Sequence, residues 1–356
     1  MSARELWDRL AAERLVEGDP PPRQPARSPW YVRVMLGIAG WIGALFLLGF
    51  VGSAFFSLIE NSRSAFIAGA LCCAGALILY RSIRGKDFAD QFALALSLAG
   101  QVLLILGLGG MLSSSDPAFY LAIAAIEAGL ALAVPNFLHR VLTAAGAAVA
   151  LAFAIAQLSL HGIATPLLCA AIVWVWIEPG RWARSGELWR PIGYGLVLAL
   201  LLVETFRLVG ATQWLGLGGT SPGWMRIHGP LVGRGLAAAL LVAVAIFLVR
   251  REGHAPASPV ALASAGGALV LGLFSLGAPG LASALLVLLL GFAAGNRLLM
   301  ALGVLGLFGF AGHFYYSLHS TLLAKSGLLA ATGLCLLAAH LIVLRLPSKA
   351  GEAGHA

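Results

Sequence analysis

Apolar residues run along this chain in blocks near the ~17–25 residues that cross a bilayer, separated by short polar joints. The blocks lack the alternation over roughly 10 residues that a membrane β-barrel shows, so the pattern predicts an all-α, polytopic transmembrane helical bundle. The spans fall at about Val32 to Ile59, Ser64 to Tyr80, Gln91 to Leu112, Ala118 to Val134, Val141 to Leu158 and Pro166 to Ile177. A second series follows at about Pro191 to Val209, Leu231 to Val249, Pro259 to Leu276, Leu281 to Gly295, Leu298 to Gly312 and Thr321 to Leu344. That is about twelve spans, the sixth being the shortest.

Composition agrees: 60% of residues are hydrophobic and 11% charged, and the mean hydropathy is +0.92. A soluble fold of this size could not hide that much apolar surface. A net charge of +8 would fit nucleic acid, but the basic residues sit at span ends, where topology explains them. Arg4, Arg9, Arg14, Arg23, Arg27, Arg33, Arg81, Arg84, Lys86, Arg140, Arg181, Arg184, Arg190, Arg250, Arg251, Arg297, Arg345 and Lys349 fall on one side of the alternation. Arg63 and Arg226 fall on the other, with Arg234 just inside a span. Both termini of this multi-pass chain are therefore expected in the cytoplasm. The first block is too long and too late for a cleaved signal peptide.

Ahead of the spans, Ser2 and Glu5 form a capping box, and Leu6, Trp7 and Leu10 share one side of a helix expected over residues 1–18. A stiff Pro-rich linker fills 19–29, the transmembrane domain 30–345 and a cytoplasmic tail 346–356. The membrane domain invites division into parallel six-helix repeats, 30–180 and 190–345. Arg140-Val141-Leu142-Thr143-Ala144-Ala145-Gly146 resembles Arg297-Leu298-Leu299-Met300-Ala301-Leu302-Gly303, and each run leads on to Ser-Leu-His, at 159–161 and 317–319. Ala99-Gly100 and Ala265-Gly266 match in the same way.

Two stretches, Ser28-Pro29-Trp30-Tyr31-Val32-Arg33 with Gly37-Ile38-Ala39-Gly40-Trp41, and Phe314-Tyr315-Tyr316-Ser317-Leu318 through Thr321-Leu322-Leu323-Ala324-Lys325-Ser326, are similar to a family of bacterial inner-membrane proteins, domain of unknown function 4401. The resemblance draws attention to Tyr315, Tyr316, Leu322, Leu323, Lys325 and Ser326 and implies no activity. It implies a membrane-protein partner from a related uncharacterised family, alongside a small protein named for a Gly-Asp-Tyr motif.

An ionisable group at mid-span costs roughly 2.5–3.5 kcal/mol on insertion scales, so each needs a reason. Glu127 lies near the middle of its span with no base within a turn, which favours a neutral acid or a partner on another helix. It reads as a proton-coupling or substrate-binding carboxylate, or as a hydrogen-bonded acid inside the bundle. Glu204 and Arg207 are three apart and can pair. Lys325 lies about as deep and can snorkel outward; the three are expected to form one cluster.

Other features have plainer readings. Cys72, Cys73, Cys169 and Cys335 lie in apolar blocks without ligand spacing. The long joint from Gly210 to Pro230 carries Trp214, Trp224, Arg226 and His228 as interfacial anchors, or else as a lid. Gly219-Thr220-Ser221-Pro222-Gly223 matches a nucleophile elbow formally but reads as a turn. His313 and His319 flank the tyrosine pair without a third ligand, and Gly291 and Gly295 predict a small-residue packing face.

No cofactor, metal or catalytic residue is called for, and no nucleic acid. The readings are a transporter-like conduit for a small or amphipathic solute, with a polar cavity around Glu127, and a non-catalytic membrane subunit, which would be a dry bundle facing another chain. A membrane-embedded enzyme on lipid-linked substrates fits least, for want of polar residues converging at the outer surface.

Overall fold

The computed structural model describes residues 3–13, 61–82, 87–178, 185–210, 223–253 and 258–317, with isolated positions besides, several of them between 31 and 49. The described residues are helical throughout, without strands: α1 (Ala3–Ala12), α2 (Ser62–Ser82), α3 (Asp87–Met111), α4 (Pro117–Ala133), α5 (Phe137–Gln157), α6 (Ala164–Trp176), α7 (Gly186–Leu208), α8 (Trp224–Arg251), α9 (Pro259–Gly277), α10 (Leu281–Ala293) and α11 (Arg297–Ser317). Seven of them, α2, α3, α5, α7, α8, α9 and α11, are long and apolar enough to cross a membrane, while α4, α6 and α10 are shorter apolar helices. The helices from α2 to α11 fall on the second to eleventh predicted spans. The first and twelfth spans lie outside the described residues, apart from isolated helical positions in the first.

Local chemistry sets the helix ends. Asp116 caps α4 by accepting from Ala118 N (2.9 Å), with Pro117 in the first turn, and Ser258 caps α9 ahead of Pro259. Val134 and Pro135 stop α4, and Asn136 then opens α5 by accepting from His139 N (3.0 Å). Two helices start earlier than their apolar blocks: α7 begins at Gly186 rather than Pro191, and α8 at Trp224 rather than Leu231. A hydropathy block marks the stretch suited to lipid, and a helix runs on into the interface. Arg226 and His228 consequently stand on the first turns of α8, not in an open joint. By contrast α1 stops at Ala12, short of Gly18, with Trp7 and Leu10 half-buried.

Consecutive helices pack as hairpins, α2 on α3, α4 on α5, α8 on α9 and α10 on α11. The main core joins α5, α6, α7, α8, α10 and α11 around Ile172, Val197, Leu200, Leu286, Leu290 and Leu299. Small residues bring backbones together: a Cβ on Gly69 would lie 2.6 Å from Gly100 O, across the α2–α3 contact. Gly291 is close-packed in the same way, a Cβ there meeting Met300 N at 2.6 Å. Gly295 does not extend that face: it lies past the end of α10 at φ +60° and turns the chain toward α11. Outward faces carry bare apolar side chains, among them Leu71, Val102, Leu132 and Leu269, as lipid exposure requires.

Hydrogen bonds tie like ends together. At the end where arginines gather, Arg140 Nη1 donates to Glu187 O (3.0 Å), Arg251 Nη1 to Ile177 O (2.7 Å) and Asn296 Nδ2 to Tyr194 Oη (2.7 Å). At the opposite end Gln157 Nε2 donates to Ser114 O (3.2 Å) and Arg234 Nη1 to Leu276 O (2.5 Å). The two thirteen-residue helices, α6 and α10, sit side by side, with Cys169 Sγ donating to Ser283 Oγ (3.9 Å). Their shortness leaves room at the second end for the cavity described below.

Candidate functional site

Glu127 occupies the buried stripe of α4 with Tyr120, Ile123 and Ala131 and is 5% exposed. It does not stand alone. The α3 residues Ser97 and Gln101, four apart and so on one face, point at it and at His139, which the Asn136 cap fixes in the first turn of α5. Ser97 Oγ lies 2.8 Å from His139 Nε2. Thr143 Oγ1 donates to His139 O (2.8 Å), Cys73 Sγ donates to Ser97 O (3.6 Å), and the Tyr80 ring meets the imidazole edge-on at 6.0 Å. Gly146 on α5 leaves space for the carboxyl, since a Cβ there would lie 3.4 Å from Glu127 Cδ.

Gln101 bridges the carboxyl and the serine: its amide nitrogen donates to Glu127 Oε1 (3.2 Å) and Oε2 (3.3 Å) while its oxygen accepts from Ser97 Oγ (3.3 Å), the orientation that satisfies both ends of the amide. The row Glu127, Gln101, Ser97, His139 is thus continuous.

A second polar centre sits at the far end of the bundle. Glu204 is 1% exposed on α7. Thr165, at the start of α6, donates to Glu204 Oε1 (2.5 Å) and accepts from Arg207 Nη1 (3.0 Å), and that nitrogen lies 3.5 Å from Oε1. The expected pairing of Glu204 with Arg207 is present, mediated by a threonine. Arg207 also faces a cavity of about 380 Å³ whose wall includes His161, Thr165, Arg226 and Arg234. Arg234 lies within electrostatic range of both Arg207 and Glu204.

Alongside, an apolar groove of about 370 Å³ runs between α4, α5, α6 and α7. Neither space has Glu127 in its wall, so neither is the polar cavity expected around that residue; the polar one lies beside Arg207.

The remaining sequence candidates are more scattered. Tyr315 is half-buried at the end of α11, and Tyr316, 82% exposed, meets its ring edge-on at 5.5 Å. His313 is exposed. Leu322, Leu323, Lys325, Ser326, His319, Cys335, Trp214 and the Gly219–Pro222 turn lie outside the described residues, and with Lys325 goes the third member of the expected cluster. Cys72, Cys73 and Cys169 are free thiols within helices. Ser97, Gln101, His139 and Thr165 carry the two centres and are not among the sequence candidates, while Arg234 enters the sequence reading only as a basic residue just inside a span. Their signal was weak: a serine and glutamine four apart in an apolar block, and a histidine three residues after a capping asparagine.

A family model described as "Domain of unknown function (DUF4401)" matches residues 29–346. No curated protein and no solved structure matches the chain.

Proposed function

This chain belongs to the family of domain of unknown function 4401, and from that premise we propose that it is a transporter-like conduit for a small or amphipathic solute. In this reading it lies in the bacterial inner membrane, with about twelve spans and both termini in the cytoplasm. The observation that carries the reading is the buried row Glu127, Gln101, Ser97 and His139, drawn from three helices at the cost of placing four polar side chains in an apolar bundle. A purely structural acid needs one partner; this one heads a chain of hydrogen bonds through Gln101 and Ser97 to His139. Glu127 is the proton-coupling group in this reading, and Gln101 and Ser97 connect it to His139.

The test uses the full chain in vesicles enclosing a pH-sensitive dye, challenged with pools of small and amphipathic solutes. Solute-driven proton movement in the wild type, lost in Glu127→Gln with folding unchanged, is the expected result. Equal proton movement in both, or none in either, overturns the reading.

A membrane subunit of a larger complex is the second reading, favoured by α9. Its burial is confined to Ala268, Gly272 and Ser275, while Leu262, Leu269, Val270 and Leu273 lie open. A neighbouring membrane protein could cover that face, and purification in mild detergent followed by mass spectrometry would find it.

The six-plus-six repeat has mixed support. Asparagine opens both α5 and α11, at Asn136 and Asn296, yet Gly100 is tightly packed where its counterpart Gly266 meets nothing within 4 Å.

A further inference from the structure

At the arginine-rich end of the bundle, two arginines serve as staples: Arg140 donates to Glu187 O and Arg251 to Ile177 O, each tying two parts of the chain together. Arg190 on α7 and Arg297 at the start of α11 do something else. Neither has a hydrogen bond or an ion pair among the described residues, and both line one cavity of about 580 Å³. The hollow lies between the end of α6, the first turns of α7 and the turn from α10 into α11. Its volume is that of a small-molecule site, about 300–1,000 Å³.

The wall is held in place by its own bonds. Asn296 accepts from Leu298 N (3.1 Å) and Leu299 N (3.2 Å) and donates to Tyr194 Oη (2.7 Å), so the start of α11, with Arg297 next to the cap, is tied to α7. Trp176 in turn packs on the Tyr194 ring at 5.1 Å. The Arg190 stem leans back toward the start of α7, its Cδ 3.9 Å from where a Cβ on Gly186 would stand, and Gly186 is in the same wall.

No acidic residue stands in that wall, and Glu187, the acid in the first turn of α7, forms no ion pair with either arginine. The gathering of arginines at one membrane face explains which end these two occupy. It does not explain why two of them, from different helices and without acids, line one hollow. Each guanidinium offers five donors in a fork that matches an oxyanion. Trp176 and Trp189, beside them, mark the depth at which lipid headgroups lie.

We propose that this cavity binds a phosphate group, held by Arg190 and Arg297 and carried by a phospholipid head or by a soluble phosphate. Either source presents the same oxyanion to the same pair. The site stands apart from the transport reading, because Glu127 has no place in its wall.

The test is native mass spectrometry of the full chain released from micelles containing phosphatidylglycerol and a glucosyl diacylglycerol with the same acyl chains, with calorimetric titration of inorganic phosphate alongside. The glycolipid carries no phosphate. If lipid is the source, phosphatidylglycerol is retained in preference to the glycolipid, and Arg190→Gln or Arg297→Gln lowers that preference about fivefold, the effect of one cation near the headgroups. If a soluble phosphate is the source, inorganic phosphate binds the wild type, both variants weaken it, and the two lipids are retained alike. Arg81→Gln removes an exposed arginine at the same end but outside the cavity, and should change neither result.

Equal retention of the two lipids with no binding of phosphate would overturn the site. So would binding that both cavity variants leave unchanged, or a loss in Arg81→Gln as large as theirs, which would reduce the effect to general surface charge. Both cavity arginines are exposed and make no described bond, so the variants should fold; if one does not, the other decides.

Discussion

Gly146 on α5 lies directly against Glu127 on α4: a Cβ built on the glycine would stand 3.4 Å from the carboxyl carbon, an ordinary contact distance. One methyl group fits there and a larger side chain does not. Gly146→Ala should keep the fold and raise stability by about 0.5–1 kcal/mol through the helix preference of alanine. Gly146→Leu should cost about 1–3 kcal/mol by overpacking and drive the carboxyl from Gln101. Thermal unfolding in mild detergent separates the two; a leucine variant as stable as the wild type would mean that α4 and α5 are not held at this spacing.

Ser97 is the joint of the polar row, since its hydroxyl meets both Gln101 and His139 Nε2. Ser97→Ala leaves a fully buried imidazole nitrogen without that partner, at about 1–3 kcal/mol. Ser97→Thr, which keeps the hydroxyl, should lose less. The melting temperatures of the two variants, compared in one detergent, give the answer.

At the other centre Thr165 joins Glu204 to Arg207. Thr165→Val keeps the shape and removes both hydrogen bonds, so stability should fall by about 1–3 kcal/mol. Arg207→Met should cost more, about 3–5 kcal/mol if Glu204 stays charged, because it leaves a buried carboxylate without its cation. A methionine variant milder than the valine one would show that Thr165, and not Arg207, is the main partner of Glu204.

The joints can be labelled to fix the sidedness that the arginines imply. With the native cysteines replaced, Ser114→Cys should react with an impermeant maleimide on intact cells, and Glu252→Cys only after the membrane is opened. The reverse result would invert the bundle.

Much of this architecture could be read from the chain, because punctuation and hydropathy agreed. Asp116-Pro117, Pro135-Asn136 and Ser258-Pro259 are cap and proline signals, and helices begin or end at each. Glu127, Glu204 and Arg207 stood out because charge in an apolar block is conspicuous. Uncharged partners are not: Gln101, Ser97 and Thr165 resemble the small polar residues that any helix packing uses. His139 was hidden by Arg140 beside it, which marks a helix end, although the cap on Asn136 turns the histidine inward. Gly291 and Gly295 read as one face because spacing alone cannot say that the helix stops at Ala293 between them.

Helices α6 and α10 have a further effect that reaches outside the protein. Thirteen residues rise about 20 Å, some 10 Å less than a typical hydrocarbon layer of about 30 Å. Because α10 is largely buried from Leu281 to Gly291, the deficit meets lipid mainly beside α6, where Leu167 and Trp174 lie open, and the bilayer there must dimple to meet it. Such mismatch costs fractions of a kcal/mol per ångström, so short-tailed lipids should gather at that edge and a thicker host membrane should destabilise the protein.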